Sequence, residues 1–383
     1  MTDDTNSLDP VYLDHNASTP VLPEVLDAML PYLREHFGNP SSGHEFGRRA
    51  RAAVEAARAQ VAALIGAAPE QLILCSGGTE ANNLAIRGVL AARPARRHLV
   101  TSVAEHPATA APCTWLEGQG VAVSRVGLDA AGQARVDELA AAIREDTALV
   151  TLIHAHNETG VIVAPAQAGG LAHARGAWLH LDAAQSVGKH PVAVAELAVD
   201  LLSIAGHKLG APKGVGALFV APGVELAPLL RGANHERGLR PGTENVASVV
   251  GLGVACELAR ERLAARLARF VAQRERLWQG LAAAVPGLQR HGEPARCLAN
   301  TLHLRFPGVT GAALLARAPE VAASTGSACH AGDGHAPAVL LAMGVPAEAA
   351  RGALRLSLGP ATSDAEIERA QRSLIHAWRS LCA

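Results

Sequence analysis

The stretch Ser203-Ile-Ala-Gly-His-Lys-Leu-Gly-Ala-Pro-Lys213 is an apolar run that ends in His207 and Lys208 and continues into small residues and a proline. This pattern is typical of a strand whose carboxyl end presents reactive groups at the edge of an open α/β sheet. A lysine held there in a tight pocket is poorly solvated, which lowers its pKa and lets the neutral amine form a Schiff base with a carbonyl. The string alone is also compatible with a surface lysine that ends a strand.

A second apolar run, Ala177-Trp-Leu-His-Leu181, ends in Asp182-Ala-Ala-Gln185 and places a carboxylate at another strand tip. Pyridoxal phosphate uses both a Schiff-base lysine and an anionic partner for its pyridine nitrogen, because a protonated ring withdraws electrons from the substrate. Asp182 suits that role, and Gln185 could donate to the ring's phenolic oxygen. The alternative is an aspartate that caps a helix.

A third string, Leu72-Ile-Leu-Cys-Ser-Gly-Gly-Thr-Glu80, predicts a strand, a glycine turn and a helix that begins near Glu80. Backbone N–H groups and the helix dipole at such a turn favour a phosphate. Gly77 and Gly78 let the backbone approach the anion, and Ser76 or Thr79 adds a hydroxyl. The string has neither the Walker nor the dinucleotide spacing, and a plain structural turn stays open.

Two further strings lie just beyond apolar runs. Ser102-Val-Ala-Glu-His106-Pro follows one run, and His154-Ala-His-Asn157-Glu-Thr-Gly160 follows the next. His106 could lie flat on a cofactor ring and shuttle protons, since its ordinary pKa lies near neutrality. A histidine in this position is also often structural.

Together these strings resemble the cysteine desulfurases and the selenocysteine lyases, pyridoxal-phosphate enzymes of the class V aminotransferase fold. The resemblance spans nearly the whole chain and occurs in order along it. The matching strings are Tyr12-Leu-Asp-His-Asn-Ala-Ser-Thr-Pro20, Gly38-Asn-Pro-Ser-Ser42, Ser76-Gly-Gly-Thr-Glu-Ala-Asn-Asn-Leu84, Glu105-His106, Asn157-Glu158, Asp182-Ala-Ala-Gln185, Gly206-His-Lys208, Arg240-Pro-Gly-Thr-Glu-Asn245, Ser324-Thr-Gly-Ser-Ala-Cys329 and Leu354-Arg-Leu-Ser357.

The resemblance implies site residues at most of these strings. Around the ring it implies a Schiff base on Lys208, Asp182 on the pyridine nitrogen, Gln185 and Asn157 near the ring oxygen, and His106 stacked on the ring. At the phosphate it implies Gly78, Thr79 and His207, with Thr243 reaching the partner subunit's cofactor across a homodimer interface. Arg355, with Asn157, would bind the substrate, because a planar guanidinium clamps a carboxylate well.

Cys329 is the predicted nucleophile. It stands in a loop of small, turn-prone residues that could swing, and the chemistry asks for a thiolate that attacks the substrate's sulfur and carries a persulfide to an acceptor. His330 and His335 could lower its pKa. The alternatives are a buried cysteine that packs as a small hydrophobe and a metal cluster with the two histidines, for which no further zinc motif is nearby, so no metal is expected.

Three departures from the family pattern affect the expectations. Ala205 stands where many relatives place a phosphate-binding serine, so one phosphate contact is expected to be missing. Residues 232–236 read Gly-Ala-Asn-His-Glu rather than three glycines, and His156 replaces a usual asparagine. The loop that follows Cys329 is closer to that of the selenocysteine lyases, which leaves the choice of substrate open.

Composition favours a large enzyme of the cell interior. The chain has 383 residues with 49% hydrophobic content, and its 34 basic and 35 acidic residues give a net charge of −1 with no basic patch. Nucleic acid and membranes are therefore not expected partners. Six cysteines without paired spacing, and a polar, acidic N-terminus, predict reduced thiols and a cytoplasmic location.

Hydrophobic periodicity predicts an α/β fold of the pyridoxal-phosphate transferase type I class, with a mostly parallel seven-stranded sheet and a smaller α+β domain. The large domain is predicted at residues 16–255, and the small domain at residues 1–15 and 256–383. The helix after Phe46 should bury a stripe through Val54, Val61 and Leu64 and end at Gly66. A long helix from about Asn245 should connect the two lobes.

The sequence therefore predicts a homodimeric pyridoxal 5′-phosphate enzyme that removes sulfur from L-cysteine, leaving L-alanine and a persulfide on Cys329 for an acceptor, which could be a protein. Release of selenium from L-selenocysteine is the nearest alternative. A class V aminotransferase, in which Cys329 is incidental, and a catalytically silent scaffold are the remaining ones.

Overall fold

The computed structural model describes residues 9–326 and 336–383. Its strands are β1 (Val11–Tyr12), β2 (Leu72–Cys75), β3 (His98–Ser102), β4 (Ala122–Val126), β5 (Thr147–Ile153), β6 (Trp178–Asp182), β7 (Leu201–Ala205), β8 (Gly216–Val220), β9 (Gln289–Arg290), β10 (Thr301–Arg305), β11 (Val321–Ala322) and β12 (Ala353–Ser357). Its helices are α1 (Pro23–Arg34), α2 (Glu45–Ile65), α3 (Gly78–Ala92), α4 (Pro107–Gly118), α5 (Val136–Ala142), α6 (Pro165–His173), α7 (Val246–Ala284), α8 (Gly311–Arg317), α9 (Ala338–Ala342), α10 (Ala347–Ala350) and α11 (Asp364–Cys382).

The central sheet has seven strands in the order β2-β8-β7-β6-β5-β3-β4. Only β8 runs against its neighbours, β2 and β7, so the sheet is mostly parallel, as predicted. Because β6 and β7 are adjacent and parallel, with Asp182 opposite Ser203, their carboxyl ends meet at one edge of the sheet. That edge is where open α/β sheets bind ligands.

Helix α2 shows why the sequence periodicity was informative. Val54 and Val61 are buried on its inner face, and Gly66 ends the helix in the left-handed region at φ 67°. Glycine adopts this conformation without a steric penalty. Leu64 is only partly buried, and the adjacent Ile65 is fully buried instead, because the stripe drifts around the helix as 3.6 residues make one turn.

Helix α7 is 39 residues long and joins two hydrophobic cores. Its first half contributes Leu252 and Cys256 to the core around the central sheet. Its second half contributes Leu277 and Leu281 to a separate core formed with β10, β12 and α11. The connecting helix expected from about Asn245 is therefore present, and Asn245 itself caps it by accepting from the Ser248 N–H. The predicted domain limits at residues 15, 16, 255 and 256 stay a prediction.

The smaller core carries a three-stranded antiparallel sheet in the order β9-β10-β12. The N-terminal segment reaches this sheet: β1 pairs with β11, and Asp14 forms a bridge with Ser357 at the end of β12. Among the described residues, no helix combines the length and apolar character needed to cross a bilayer.

Candidate active site

A cavity of about 170 Å³ opens at the carboxyl edge of the central sheet. Eight residues that the sequence assigned to a cofactor line it: Gly78, Thr79, His106, Asn157, Asp182, Gln185, His207 and Lys208. The other lining residues are Asn82, Ala108, Ile153, Ala184 and Ala205. Residues from separate parts of the chain thus meet in one pocket.

Lys208 lies in the short turn Gly206–Lys208 that follows β7. Its amine donates to the backbone oxygens of Asn16 at 2.7 Å and Ala17 at 2.8 Å. Burial, and next the charge of Arg355, lower the pKa of Lys208 from its ordinary 10.5 to about 8, although Asp182 acts in the opposite direction. A substantial neutral fraction near pH 7 to 8 makes this amine a competent nucleophile toward a carbonyl.

Asp182 ends β6 and is 3% exposed. One carboxylate oxygen accepts from Asn82 Nδ2 at 2.7 Å, and the other accepts from the Ala184 N–H at 3.0 Å. These contacts hold the carboxylate in place at the wall of the cavity. Sequence reasoning gave Asn82 no role, although it lies in the quoted string Ser76 to Leu84 and one helical turn beyond Gly78.

A buried hydrogen-bond network lies beside Lys208, and sequence reasoning assigned only one of its members. Gln185 Nε2 donates to the Asn16 backbone oxygen at 2.8 Å, and Gln185 Oε1 accepts from Lys189 Nζ at 2.7 Å. Lys189 also donates to Asn16 Oδ1 at 3.1 Å. Asn16 falls in the string Tyr12 to Pro20, and Lys189 follows Gln185 by four positions. Neither position allowed these hydrogen bonds to be predicted from the sequence.

The start of α3 forms one end of the cavity. Gly77 precedes the helix at φ 147°, in the region that favours glycine, and no side chain caps this end in the part of the chain that the structure describes. A β-carbon at Gly78 would lie 3.3 Å from the Ala205 β-carbon, so the backbone approaches the end of β7 closely. Free N–H groups at a helix start of this length suit a phosphate.

The two cavity histidines are biased toward the neutral form. His106 caps α4, where its Nδ1 accepts from the Ala108 N–H at 3.1 Å, so a neutral ring carries its proton on Nε2. Burial lowers the pKa of His106 below its ordinary value despite Asp182. Burial, helped by the charges of Lys208 and Lys213, lowers the pKa of His207 to about 4.

Arg355 lies in β12, on the small sheet, and is 2% exposed. Its Nη2 forms an ion pair of 2.6 Å with Asp14, and its Nη1 donates to the Asn157 backbone oxygen at 2.8 Å. Its Nε has no partner among the described residues. Arg355 does not line the 170 Å³ cavity and is joined to it through Asn157.

Of the predicted site residues that the structure describes, Arg355 and Thr243 do not line this cavity. Thr243 is exposed in the segment before α7 and does not line it. Cys329, with His330 and His335, lies outside the described residues. His156, one of the departures from the family pattern, is buried, and its Nδ1 accepts from the N–H groups of Glu158 and Thr159.

Comparison with known proteins agrees with this geometry. Residues 11–370 match the family described as aminotransferase class-V. The chain is 46% identical over 361 residues to cysteine desulfurase 2 of Trichormus variabilis, covering 94% of this chain and 90% of that one. The chain belongs to the cysteine desulfurase family. These matches confirm both the family and the fold predicted from the sequence. Cysteine desulfurases of the class V aminotransferase fold depend on pyridoxal phosphate.

Solved structures show the same fold. A NifS-like protein superposes with a TM-score of 0.90 at 32% identity, covering 96% of this chain and 98% of that one. A structure described as SspA in complex with cysteine gives a TM-score of 0.81 at 34% identity, covering 92% of this chain and 99% of that one. This desulfurase-family chain is therefore similar to both over nearly its whole length.

Proposed function

We propose that this protein binds pyridoxal 5′-phosphate in the 170 Å³ cavity and removes sulfur from L-cysteine, producing L-alanine and a persulfide on Cys329. The observation that carries the proposal is the meeting of two groups in one cavity: an amine with a pKa lowered to about 8, and a buried, doubly hydrogen-bonded carboxylate. Curated relatives named cysteine desulfurases support the choice of reaction.

The residues present fit this cofactor. Asp182 would hold the pyridine nitrogen, Gln185 the ring oxygen, and the start of α3 with Thr79 and His207 the phosphate. Bound there, the cofactor would supply an electron-withdrawing ring that stabilises negative charge on the substrate. Ala205 offers no hydroxyl at that end of the cavity, so the backbone N–H groups of α3 would carry more of the phosphate contact.

Three side chains of the protein would handle the substrate. The Lys208 amine would hold the cofactor through its carbonyl and, when neutral, would act as a base near the substrate's α-carbon. His106 lines the cavity and would offer a proton from Nε2, since its Nδ1 accepts from the α4 backbone. Arg355 would bind the substrate carboxylate with Asn157 beside it, which requires its guanidinium to share or exchange the Asp14 contact.

Cys329 would accept the sulfur. Its thiolate attacks the sulfur of the bound cysteine, an S–S bond forms, and the electron pair of the broken C–S bond passes to the substrate carbon. That carbon takes a proton, and the amino acid leaves as alanine. A mobile acceptor is needed because the persulfide must next reach another molecule.

The first experiment identifies the lysine and the reaction. Purified protein incubated with pyridoxal phosphate is reduced with borohydride, and peptide mapping is expected to find the label on Lys208. In a separate sample that is not reduced, alanine should form from cysteine without any keto acid, and this should collapse in Cys329→Ala. Absence of a lysine-bound chromophore after cofactor addition would overturn the proposal.

The substrate needs a separate comparison. Alanine formation is measured from cysteine and from selenocysteine, in the native protein and in Cys329→Ala. The protein would be a selenocysteine lyase instead if the native form produced no alanine from cysteine and Cys329→Ala still produced alanine from selenocysteine at the native rate. Alanine production that requires a keto acid acceptor would identify an aminotransferase.

The proposal extends to assembly and context. We propose a homodimer in which the exposed Thr243 reaches the partner subunit's cofactor, a protein acceptor for the persulfide sulfur, and a cytoplasmic location. Five cysteines of the described chain are free thiols, which accords with a reducing compartment. The roles of the individual site residues and the domain limits belong to the same proposal.

A further inference from the structure

The use of lysine in this chain is unusually restricted. Of its 34 lysine and arginine residues only three are lysine, at positions 189, 208 and 213. Lys213 is exposed and Lys208 lines the proposed cofactor cavity. Lys189 is 8% exposed and does not line that cavity. Nearly all basic residues of this chain are arginines, yet the buried position 189 is a lysine. Arginine and lysine are not interchangeable at a buried position.

The surroundings of Lys189 show what a lysine does there. Its Nζ donates to Gln185 Oε1 at 2.7 Å and to Asn16 Oδ1 at 3.1 Å, and no carboxylate pairs with it among the described residues. Burial, helped by the charges of Lys208 and Arg355, lowers the pKa of Lys189 well below its ordinary value. Both acceptors are amide oxygens, so the two contacts satisfy two N–H groups of the amine without a counter-charge. An arginine is always charged and fixes its donors in one plane at the end of a longer side chain, so it cannot take the place of this amine.

The contact with Lys189 determines which end of the Gln185 amide faces which neighbour. Because Oε1 accepts from the lysine, the NH₂ group must occupy the other position. One of its hydrogens goes to the Asn16 backbone oxygen, which also accepts from Lys208 Nζ. Since Gln185 lines the cavity, the second hydrogen is the one that can serve a bound ligand.

We propose that Lys189 is a positioning residue for the cofactor: it fixes the Gln185 amide with its nitrogen available to the ring oxygen and, through Asn16, fixes the resting position of the Lys208 amine. Lys189 acts through Gln185 and touches neither substrate nor cofactor. The inference rests on the proposed function, since it assumes that pyridoxal phosphate occupies the cavity.

The test measures the absorbance maximum of the bound cofactor and its dissociation constant in a double-mutant cycle. Lys189→Met is expected to move the absorbance maximum and to weaken cofactor binding about tenfold, the size of one lost hydrogen bond to a charged group. Gln185→Met should shift the band in the same direction, and the double variant should add little to either single change. Lys213→Met, the matched exposed lysine, should behave as the native protein.

A purely structural role for Lys189 would change the melting temperature without moving the band, and that result overturns the inference. Additive spectral shifts in the double variant also overturn it. Should Lys189→Met fail to fold, Lys189→Arg carries the test: its donors lie in the guanidinium plane and not at the position of the lysine amine, so an unshifted band contradicts the proposal. A native protein that takes up no cofactor instead overturns the proposed function itself.

Discussion

The central seven-stranded sheet and the three-stranded sheet of the smaller core contribute to the site in different ways. The central sheet places Asp182 and Lys208 just at or beyond the carboxyl ends of two neighbouring parallel strands, where both line the cavity. The small sheet offers Arg355 from within β12, opposite His303 on β10, fully buried and outside the cavity lining.

The order of the strands positions the residues of the central sheet, whereas contacts with other segments of the chain position the arginine of the small sheet. Asp182 and Lys208 meet because β6 and β7 are adjacent in the sheet. Arg355 is oriented by Asp14 and by the Asn157 backbone, which belong to other segments of the chain. We therefore expect the central sheet to control cofactor chemistry and the small sheet to control substrate binding, and four measurements can break or sharpen that division.

The largest effect is expected from Asp182→Asn. An asparagine can still accept from Asn82, so the fold should persist, but the negative charge beneath the ring is lost. The turnover number kcat should fall by about 10²–10³-fold, the range for removing one preorganised electrostatic contact. Steady-state alanine formation measures it, with exposed Asp137→Asn as the control. A change in KM alone would break the comparison.

Arg355→Lys should act mainly on substrate affinity. A lysine keeps the charge but loses the planar fork, so KM for cysteine should rise by roughly 10- to 100-fold, with kcat changed less. Arg305→Lys on β10 of the same sheet is the matched control, because Arg355, and not this partly exposed arginine, contacts Asp14 and the Asn157 backbone. If kcat fell as far as in Asp182→Asn, the two sheets would not have separate tasks.

The pH dependence of cofactor uptake reports on both sheets at once. Because the pKa of Lys208 is lowered to about 8, the rate of pyridoxal phosphate uptake by cofactor-free protein should rise with pH and level off above about 8. Arg355 lowers this pKa and Asp182 raises it. Arg355→Gln should thus move the midpoint upward and Asp182→Asn downward, each by up to about one unit.

Stopped-flow absorbance from pH 6 to pH 10 follows this uptake. A midpoint that stays in place in both variants would mean that burial alone lowers the pKa of the lysine, and that the small sheet has no electrostatic influence on the cofactor. The native protein and Lys213→Met serve as references, because Lys213 is not among the groups that shift the pKa of Lys208.

The smallest effect is expected from Ala205→Ser. A hydroxyl at the end of β7, close to Gly78, would restore the phosphate contact that the sequence lacks. One added hydrogen bond should tighten cofactor binding by about 2- to 10-fold. Equilibrium titration by absorbance measures it, with exposed Ala130→Ser as the control. If Ala205→Ser bound the cofactor more weakly than the native protein, the phosphate would not lie at the start of α3.

Local patterns predicted most of the fold and most of the cavity. Apolar runs predicted β6, which ends at Asp182, and β7, which is followed by the turn that carries Lys208. The period of α2 predicted its buried face, except that Ile65 replaces Leu64 at its end. These predictions succeeded because strand ends in a parallel sheet converge whatever their exact length. The partners Asn82, Asn16 and Lys189 could not be predicted, because each contact joins side chains whose approach depends on how helices and strands pack.

The sequence by itself determined the family, the mostly parallel sheet and the residue types that face its carboxyl edge, since periodicity and strand-end motifs are local properties of the chain. Only the tertiary structure decided that the Asn16 backbone holds the Lys208 amine, that Lys189 holds Gln185, and that Arg355 pairs with Asp14 away from the cavity wall. Those contacts depend on distances between segments far apart in sequence, and packing, rather than the order of residues, sets such distances.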